Sequence, residues 1–180
     1  MAQKHLTVEE CENLLKQYHT PEHVIKHCHA VAHAAMTVAE ALNQVGCHLD
    51  IRLIQGAALI HDILRVEDKH WEKGADIARN LGYEEEANII SVHMTYELPK
   101  SVAQLTETDL VCLGDRIVKE DQYVGFEDRM QYVLAKVKGN VEAEQRITQK
   151  IADTRILLGE IEKVIGKTID QLMREKERAF

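Results

Sequence analysis

The pair His61-Asp62 places two residues suited to the same chemistry side by side. A neutral imidazole and a carboxylate are both ligands for divalent transition metals. Neighbouring residues on a helix point about 100° apart, so both reach one ion only at the edge of that helix. Ala57 and Ile60 give the pair an apolar border, which predicts partial burial. Because isolated His-Asp pairs also occur without metals, the prediction depends on the residues around this one.

Ten histidines occur in the chain, and all of them stand at or before His93. On the preceding predicted helix, His27 borders the apolar stripe, and His23 stands one turn earlier on the same face. His29 and His33 lie toward the polar side, so we expect them to face solvent or to support the ligands from outside. A hydrogen-bonded core position is the alternative interpretation for the inner histidines.

Asp115 and two later histidines extend the set of candidate ligands. Asp115 follows an apolar segment, and a buried aspartate is costly without a partner. A metal, Arg116 or a backbone cap would each supply that partner. His93 stands three residues after Ile90 and so borders an apolar face, while His70 stands just before the predicted helix 71–81.

The order of these residues resembles the HD superfamily of metal-dependent phosphohydrolases. The segment HCHAVA at 27–32 is similar to the helix with the family's first histidine, and GAALIHDI at 56–63 is similar to its signature. Residues 70–82 and 110–118 resemble the segments that hold a further histidine and the last aspartate. The similarity covers about residues 21–125, and five short motifs in the family's order make it fairly specific.

The resemblance implies a ligand set for two divalent transition metal ions, with Fe, Mn, Co, Ni or Zn all compatible with histidine and carboxylate ligands. One ion would be held by four residues and the second by three, with one shared aspartate; the six are His27, His61, Asp62, His70, His93 and Asp115. The pattern is closest to the bacterial HD-type hydrolases of symmetrical dinucleoside tetraphosphates. Cyclic-di-nucleotide phosphodiesterases of the superfamily have a glutamate and a histidine where this chain has His23 and Met94, which argues against that subgroup.

The implied reaction is hydrolysis of a phosphoester or phosphoanhydride bond in a nucleotide or a related small phosphorylated metabolite. Asp62 and Arg65 are the predicted catalytic residues, since Asp62 would bridge the ions and a guanidinium suits bidentate phosphate binding. A surface ion pair with Glu67 or Asp68 is the alternative role for Arg65. The other predicted substrate-binding residues are Lys69, Lys73 and Arg116, and His23 is expected to support the ligands.

Two other functions remain open at this point. HD-fold di-iron oxygenases use the same six ligand types, so the ligands alone do not separate oxygenase from hydrolase. The domain could also be a non-catalytic nucleotide-binding or regulatory module, since Leu64 replaces a glycine of the signature, which would narrow the pocket. Retention of all six ligands argues against such a degenerate module.

Composition restricts the class of protein. The chain has 180 residues, 45% hydrophobic and 29% charged, with two prolines and a formal net charge of −8. These values predict one folded domain or a domain with a small extension, and an acidic chain without a basic stripe is not expected to bind DNA. We find no run of about 18 apolar residues and no signal peptide, so a cytoplasmic protein without membrane association is expected.

Helical spacing runs along nearly the whole chain, which predicts an all-α protein, an HD-domain helical bundle with additional C-terminal helices. We expect an N-terminal helix in residues 1–20, the HD domain in 21–138 and an extension in 139–180 that packs on the bundle or joins a second copy as a homo-oligomer. Residues 141–180 carry eight basic and eight acidic residues and no histidine. The predicted helices are 7–18, 21–45, 50–64, 71–81, 84–96, 105–120, 126–137 and 141–175.

Three helix starts carry local signals. Thr7 and Glu10 have the spacing of a capping box. Thr20 followed by Pro21 predicts an N-cap with proline at the first helical position, and Asp50 predicts another N-cap.

Overall fold

The computed structural model describes residues 4–99 and 101–177, and within them most of the chain is helical and strand is nearly absent. The expected all-α class is therefore confirmed, with extra helices at the C-terminus. The elements in chain order are α1 (Val8–Gln17), α2 (Glu22–Gln44), α3 (Ile51–Ile60), α4 (His70–Asn80), α5 (Glu84–Val92), α6 (Glu107–Ile117), β1 (Val118–Lys119), β2 (Gln122–Tyr123), α7 (Phe126–Lys136), α8 (Val141–Ile165) and α9 (Ile169–Glu177). A short 3₁₀ turn covers Val102–Gln104.

Helix α2 is the centre of the bundle. It packs against α3 on one side and α6 on another, while α4 and α5 form a closely packed pair beside α3. Contact between α2 and α6 depends on Gly114, because a Cβ atom there would lie 2.9 Å from the carbonyl oxygen of Val31 and 3.1 Å from Cβ of Ala35. Two helices that each carry candidate ligands are thereby held in close contact.

Two of the three predicted helix caps are confirmed. Thr7 and Glu10 form the capping box of α1, and the Asp50 carboxylate accepts hydrogen bonds from the first turn of α3. The prediction for Thr20 is wrong, since Pro21 is the N-cap of α2. The Thr20 hydroxyl instead donates to the carbonyl oxygen of Ile63 at 2.7 Å. This bond ties the start of α2 to the turn that carries His61-Asp62.

The structure corrects several predicted boundaries. Helix α3 ends at Ile60 rather than at residue 64, and the predicted helix 141–175 is two helices. The break falls at Gly166, which caps α8 with a left-handed φ of 74°. The predicted helix 105–120 ends at Ile117, and a two-residue hairpin follows it. Strands this short show no alternation in sequence, which explains why the pattern did not predict them.

The C-terminal helices pack on the body of the bundle. Leu157 and Ile161 of α8 are fully buried in the main core, and Met173 of α9 joins them. Lys176 of α9 forms an ion pair with Glu40 of α2, with 2.7 Å between Nζ and Oε2. Across residues 4–99 and 101–177, none of the helices combines the length and the apolar character that a membrane crossing requires.

Candidate metal centre

Six of the predicted site residues come together although they lie on five different segments. They are contributed by α2 (His27), the end of α3 (His61 and Asp62), the first position of α4 (His70), the end of α5 (His93) and the last turns of α6 (Asp115). Packing of α2 against α3 and α6, and of α4 against α5, therefore positions the whole set. His29 and His33, in contrast, are exposed on α2.

Asp62 lies in the middle of the cluster, and its two carboxylate oxygens face different histidines. Oδ2 is 3.6 Å from Nε2 of His61 and 3.9 Å from Nε2 of His27. Oδ1 is 3.0 Å from Nε2 of His70 and 3.4 Å from Nε2 of His93. The Asp62 side chain is only 4% exposed. The Asp62 carboxylate therefore lies between two pairs of histidines.

The imidazole rings of His61 and His93 are oriented by the same kind of hydrogen bond. Each is the C-cap residue of its helix, and the Nδ1 of each lies near the carbonyl oxygen three residues earlier, at 2.8 Å from Ala58 and 2.7 Å from Ile90. With Nδ1–H as the donor, the lone pair of each ring is on Nε2. Both Nε2 atoms are buried and have no hydrogen-bond partner among the described residues.

His27 is oriented from the other side of the cluster. Its Nδ1 lies 2.7 Å from the carbonyl oxygen of Glu120, in the turn between β1 and β2. Its Nε2 lies 3.1 Å from Oδ1 of Asp115. The hairpin that the sequence did not predict thus fixes the ring of a candidate ligand, as outer partners commonly do at metal sites.

Backbone strain occurs at two residues next to the centre. Glu120 has φ 55° and Lys69, which precedes His70, has φ 53°. Left-handed backbone at residues other than glycine is unfavourable and persists only where the surrounding structure enforces it. Lys69 directly precedes the candidate ligand His70, and Glu120 is itself the hydrogen-bond partner of the candidate ligand His27.

Charges within the cluster are strongly coupled. Burial opposes ionisation of both aspartates, but His61, His70 and His93 hold the pKa of Asp62 well below its usual range. The hydrogen bond from His27 lowers the pKa of Asp115 in the same way. Burial lowers the pKa of His61, which favours its neutral form. Ionised carboxylates and a neutral His61 imidazole are donors that divalent transition metals prefer.

Two sets of three ligand atoms each lie within 4.8 Å of one another, one formed by His27, His61 and Asp115 and the other by His61, Asp62 and His93. His70 belongs to neither set, although its Nε2 is 3.0 Å from Oδ1 of Asp62. The buried, unpaired Nε2 atoms of His61 and His93 are costly without a partner. A metal ion would supply that partner, so the residues present fit a metal centre.

The predicted cationic residues are placed in different surroundings. Nη1 of Arg65 lies 3.4 Å from Oδ1 of Asp62, at the edge of the centre. Lys69 forms an ion pair with Glu72, and Lys73 forms one with Glu67. Arg116 donates from Nη2 to the carbonyl oxygen of Tyr96 at 2.9 Å. Of these four predicted substrate-binding residues, Arg65 lines the cavity beside the centre, and the other three do not.

The cavity has a volume of about 850 Å³ and is bordered by His27, Asp62 and Asp115 together with the exposed His23. The sequence did not predict several other residues that line it, which are Lys119, Arg129, Tyr132 and Lys136. A signal for them exists, because the last three stand at i, i+3 and i+7 on one face of α7. Nothing in the sequence shows that this face lies next to the aspartates.

Comparison of the sequence with known proteins places the chain in a family. The family model described as HD domain matches residues 24–133. Over 73 aligned residues the chain is 36% identical to the uncharacterized protein MJ0778 of Methanocaldococcus jannaschii. The aligned segment covers 39% of this chain and 43% of that relative, so less than half of the relative is spanned. No solved structure matches the chain significantly.

Proposed function

Because the chain belongs to the HD domain family, we propose that it is a metal-dependent phosphohydrolase that cleaves a phosphoester or phosphoanhydride bond. The substrate would be a nucleotide or a related small phosphorylated metabolite. The observation that carries the proposal is the position of Asp62, whose two oxygens face separate pairs of histidines.

The six clustered residues would hold two divalent ions. His27, His61 and Asp115 lie on one side of Asp62, and His70 and His93 lie on the other. When bound, such ions supply the Lewis acidity that activates water and offsets negative charge on a phosphoryl group.

The protein's own groups orient this chemistry. The carbonyl oxygens of Ala58 and Ile90 keep the Nε2 atoms of His61 and His93 turned toward Asp62. Arg65 stands at the mouth of the centre with 46% of its side chain exposed, so its guanidinium can bind phosphoryl oxygens without leaving Asp62. This cation is the feature that favours hydrolysis over an oxygenase reaction at the same ligand set.

The test combines metal analysis with a hydrolysis screen. Purified protein loaded with Mn, Fe, Co, Ni or Zn is assayed against nucleotides and small phosphorylated metabolites. We expect hydrolysis by the wild-type protein and loss of both metal and activity in Asp62→Asn. Asp128→Asn is the matched control, because Asp128 is an exposed aspartate of α7 outside the cavity.

Three outcomes would overturn the proposal. An Asp62→Asn variant with full activity would show that the site is elsewhere. An oxygen-reactive mixed-valent paramagnetic signal without any hydrolysis would identify an oxygenase. Absence of both stoichiometric metal and hydrolysis across the screen would identify a binding module.

A further inference from the structure

Three cationic side chains gather around one aromatic ring among the residues that line the cavity. The ring of Tyr132 has Nζ of Lys119 and Nζ of Lys136 each 4.4 Å from its centroid, and Cζ of Arg129 at 5.7 Å. Lys119 comes from β1, and the other three residues come from α7. We refer to Lys119, Arg129, Tyr132 and Lys136 as the cationic wall.

Within the described ranges, no carboxylate pairs with the charges of the cationic wall. Ion pairs within 4.0 Å occur at neighbouring surface positions, as between Arg155 and Glu127, but none in the described ranges involves Lys119, Arg129 or Lys136. Nε of Arg129 is buried and lacks any hydrogen-bond partner there. Attraction to an aromatic ring does not neutralise three positive charges, and a partly buried guanidinium without a partner is unfavourable.

The acidic residues that also line the cavity do not neutralise the positive charge of the cationic wall. Glu22 is paired with Lys26, and Asp62 and Asp115 face the histidines. Glu120 and Asp121 of the hairpin turn border the cavity as well, but neither carboxylate lies within ion-pair distance of the cationic wall in the part of the chain that the structure describes. The cavity is therefore lined both by residues suited to metal ions and by residues suited to an anion.

We propose that the cationic wall is a subsite for a second phosphoryl group, so that the preferred substrates carry at least two phosphoryl groups. This rests on the proposed function, which places the phosphoryl group to be cleaved beside Asp62 and Arg65. A cavity of about 850 Å³ has room for far more than one phosphate group. Arg129, Lys119 and Lys136 supply charge-assisted donors to the remote group.

The subsite distinguishes substrates by their number of phosphoryl groups and does not recognise a nucleotide's base. Lysine and arginine donors recognise phosphate oxygens wherever these occur. The Tyr132 ring contacts the ammonium group of Lys119 from β1 and that of Lys136 from the end of α7. The ring therefore serves to hold the cations together. Inorganic triphosphate and nucleoside oligophosphates share the chemistry that this wall recognises.

The experiment measures binding, and phosphate release is followed in the same samples so that hydrolysis is recorded separately. Inorganic triphosphate and orthophosphate are titrated calorimetrically into the protein at low ionic strength and at a fixed free Mn²⁺ concentration. We expect triphosphate to bind more tightly than orthophosphate. Arg129→Gln should weaken triphosphate binding roughly 10- to 100-fold, and orthophosphate binding by a smaller factor, because the metal ions also bind orthophosphate. Lys138→Gln is the matched control, because Lys138 is exposed and does not line the cavity.

A second variant distinguishes loss of the subsite from a loss of binding that is caused by misfolding. Lys136 is exposed at the end of α7, so Lys136→Gln should keep the thermal midpoint of the wild type and still weaken triphosphate binding. Unchanged triphosphate binding in both variants, or an equal loss for orthophosphate, would overturn the subsite.

The two proposals fail in different ways. Hydrolysis of oligophosphates that does not depend on Arg129 or Lys136 would remove the subsite and leave the phosphohydrolase. Triphosphate binding that depends on both residues, in a protein without hydrolytic activity, would retain the anion site and remove the hydrolase.

Discussion

Nδ1 of His27 lies 2.7 Å from the carbonyl oxygen of Glu120, a residue 93 positions away in the chain. This bond joins the middle of the bundle to the turn of a two-residue hairpin. Because Nδ1 is engaged by the carbonyl, Nε2 is turned toward Asp115 and Asp62. The left-handed φ of 55° at Glu120 is the backbone conformation that aims this carbonyl.

Lengthening the hairpin turn should therefore weaken metal binding. We expect insertion of one glycine between Lys119 and Glu120 to displace the carbonyl and reduce metal affinity roughly 10- to 100-fold, as loss of outer hydrogen bonds does at other sites. Isothermal titration with Mn²⁺ measures the effect. Glu120→Gly is the control, because it keeps the carbonyl and removes the strain of a left-handed residue. Normal affinity in the insertion variant would show that the hairpin does not orient His27.

Single ligand substitutions should separate two ions. If Asp62 bridges them, His27→Ala and His70→Ala each lose about one of the two ions, whereas Asp62→Asn loses both. Elemental analysis of dialysed protein gives the metal-to-protein ratio directly. His33→Ala is the control, since His33 is exposed on the same helix as His27. A ratio that falls to zero in every ligand variant would instead indicate a single, shared ion.

Alanine at two helical glycines should change stability in opposite directions. At Gly114 the new Cβ would meet Val31 and Ala35 of α2 at 2.9–3.1 Å, so Gly114→Ala should lower the free energy of unfolding by about 1–3 kcal/mol. At Gly159 of α8 nothing lies within 4 Å of that position. Gly159→Ala should therefore raise the free energy of unfolding by about 0.5–1 kcal/mol.

Urea unfolding of both variants measures the contrast, and metal titration of Gly114→Ala adds a second readout. Because Asp115 follows Gly114 directly, a displaced α6 should also weaken metal binding. A Gly114→Ala protein as stable as the wild type would show that α2 and α6 can separate without cost.

Helix α1 should lose stability in acid because of Glu10. The backbone N–H of Thr7 donates to the Glu10 carboxylate, and this bond with those from Tyr83 and the Thr7 hydroxyl lowers the pKa of Glu10 to about 2. Since the folded pKa lies below the unfolded value of 4.5, the stabilisation is complete above pH 4.5 and is lost as the pH falls toward 2.

The expected contribution at neutral pH is about 1 kcal/mol, the usual value of a helix cap. Urea unfolding of wild type and Glu10→Gln should differ by that amount at pH 7 and converge near pH 2. Glu9→Gln is the control, because Glu9 is exposed on the same turn. A difference between wild type and Glu10→Gln that is independent of pH would contradict the assignment.

Local sequence signals were sufficient for the helices and for much of the cluster. The capping box at Thr7 and the Asp50 cap require only neighbouring residues, so the sequence predicts them correctly. Helical phase distinguishes His27 from His29 and His33, because burial on a helix repeats with the helical turn. The all-α class follows from the same periodicity.

Features that depend on distant contacts were not predictable in this way. Helix α3 ends early because the Nδ1 of His61 takes the carbonyl of Ala58, which would otherwise accept the backbone N–H of Asp62. Thr20 has the residue type of a cap, but its hydroxyl is used by Ile63, 43 positions later. Arg116 stands next to Asp115 in sequence, yet its guanidinium points to Tyr96. For Thr20 and Arg116 a tertiary partner outcompetes the local one, whereas at the end of α3 a side chain of the same turn competes with the backbone.

Helices α3 and α5 both end at the centre, with His61 and His93 as their C-caps. The carbonyl end of a helix carries a partial negative charge equivalent to about half an elementary charge. Two such ends, together with the ionised Asp62 and Asp115, create a potential that draws in cations and repels phosphate. We therefore expect a fixed order of binding, in which the metal ions bind first and the substrate second. The bound ions reverse the sign of the electrostatic potential at the centre, and an anionic substrate is attracted to it only after that reversal.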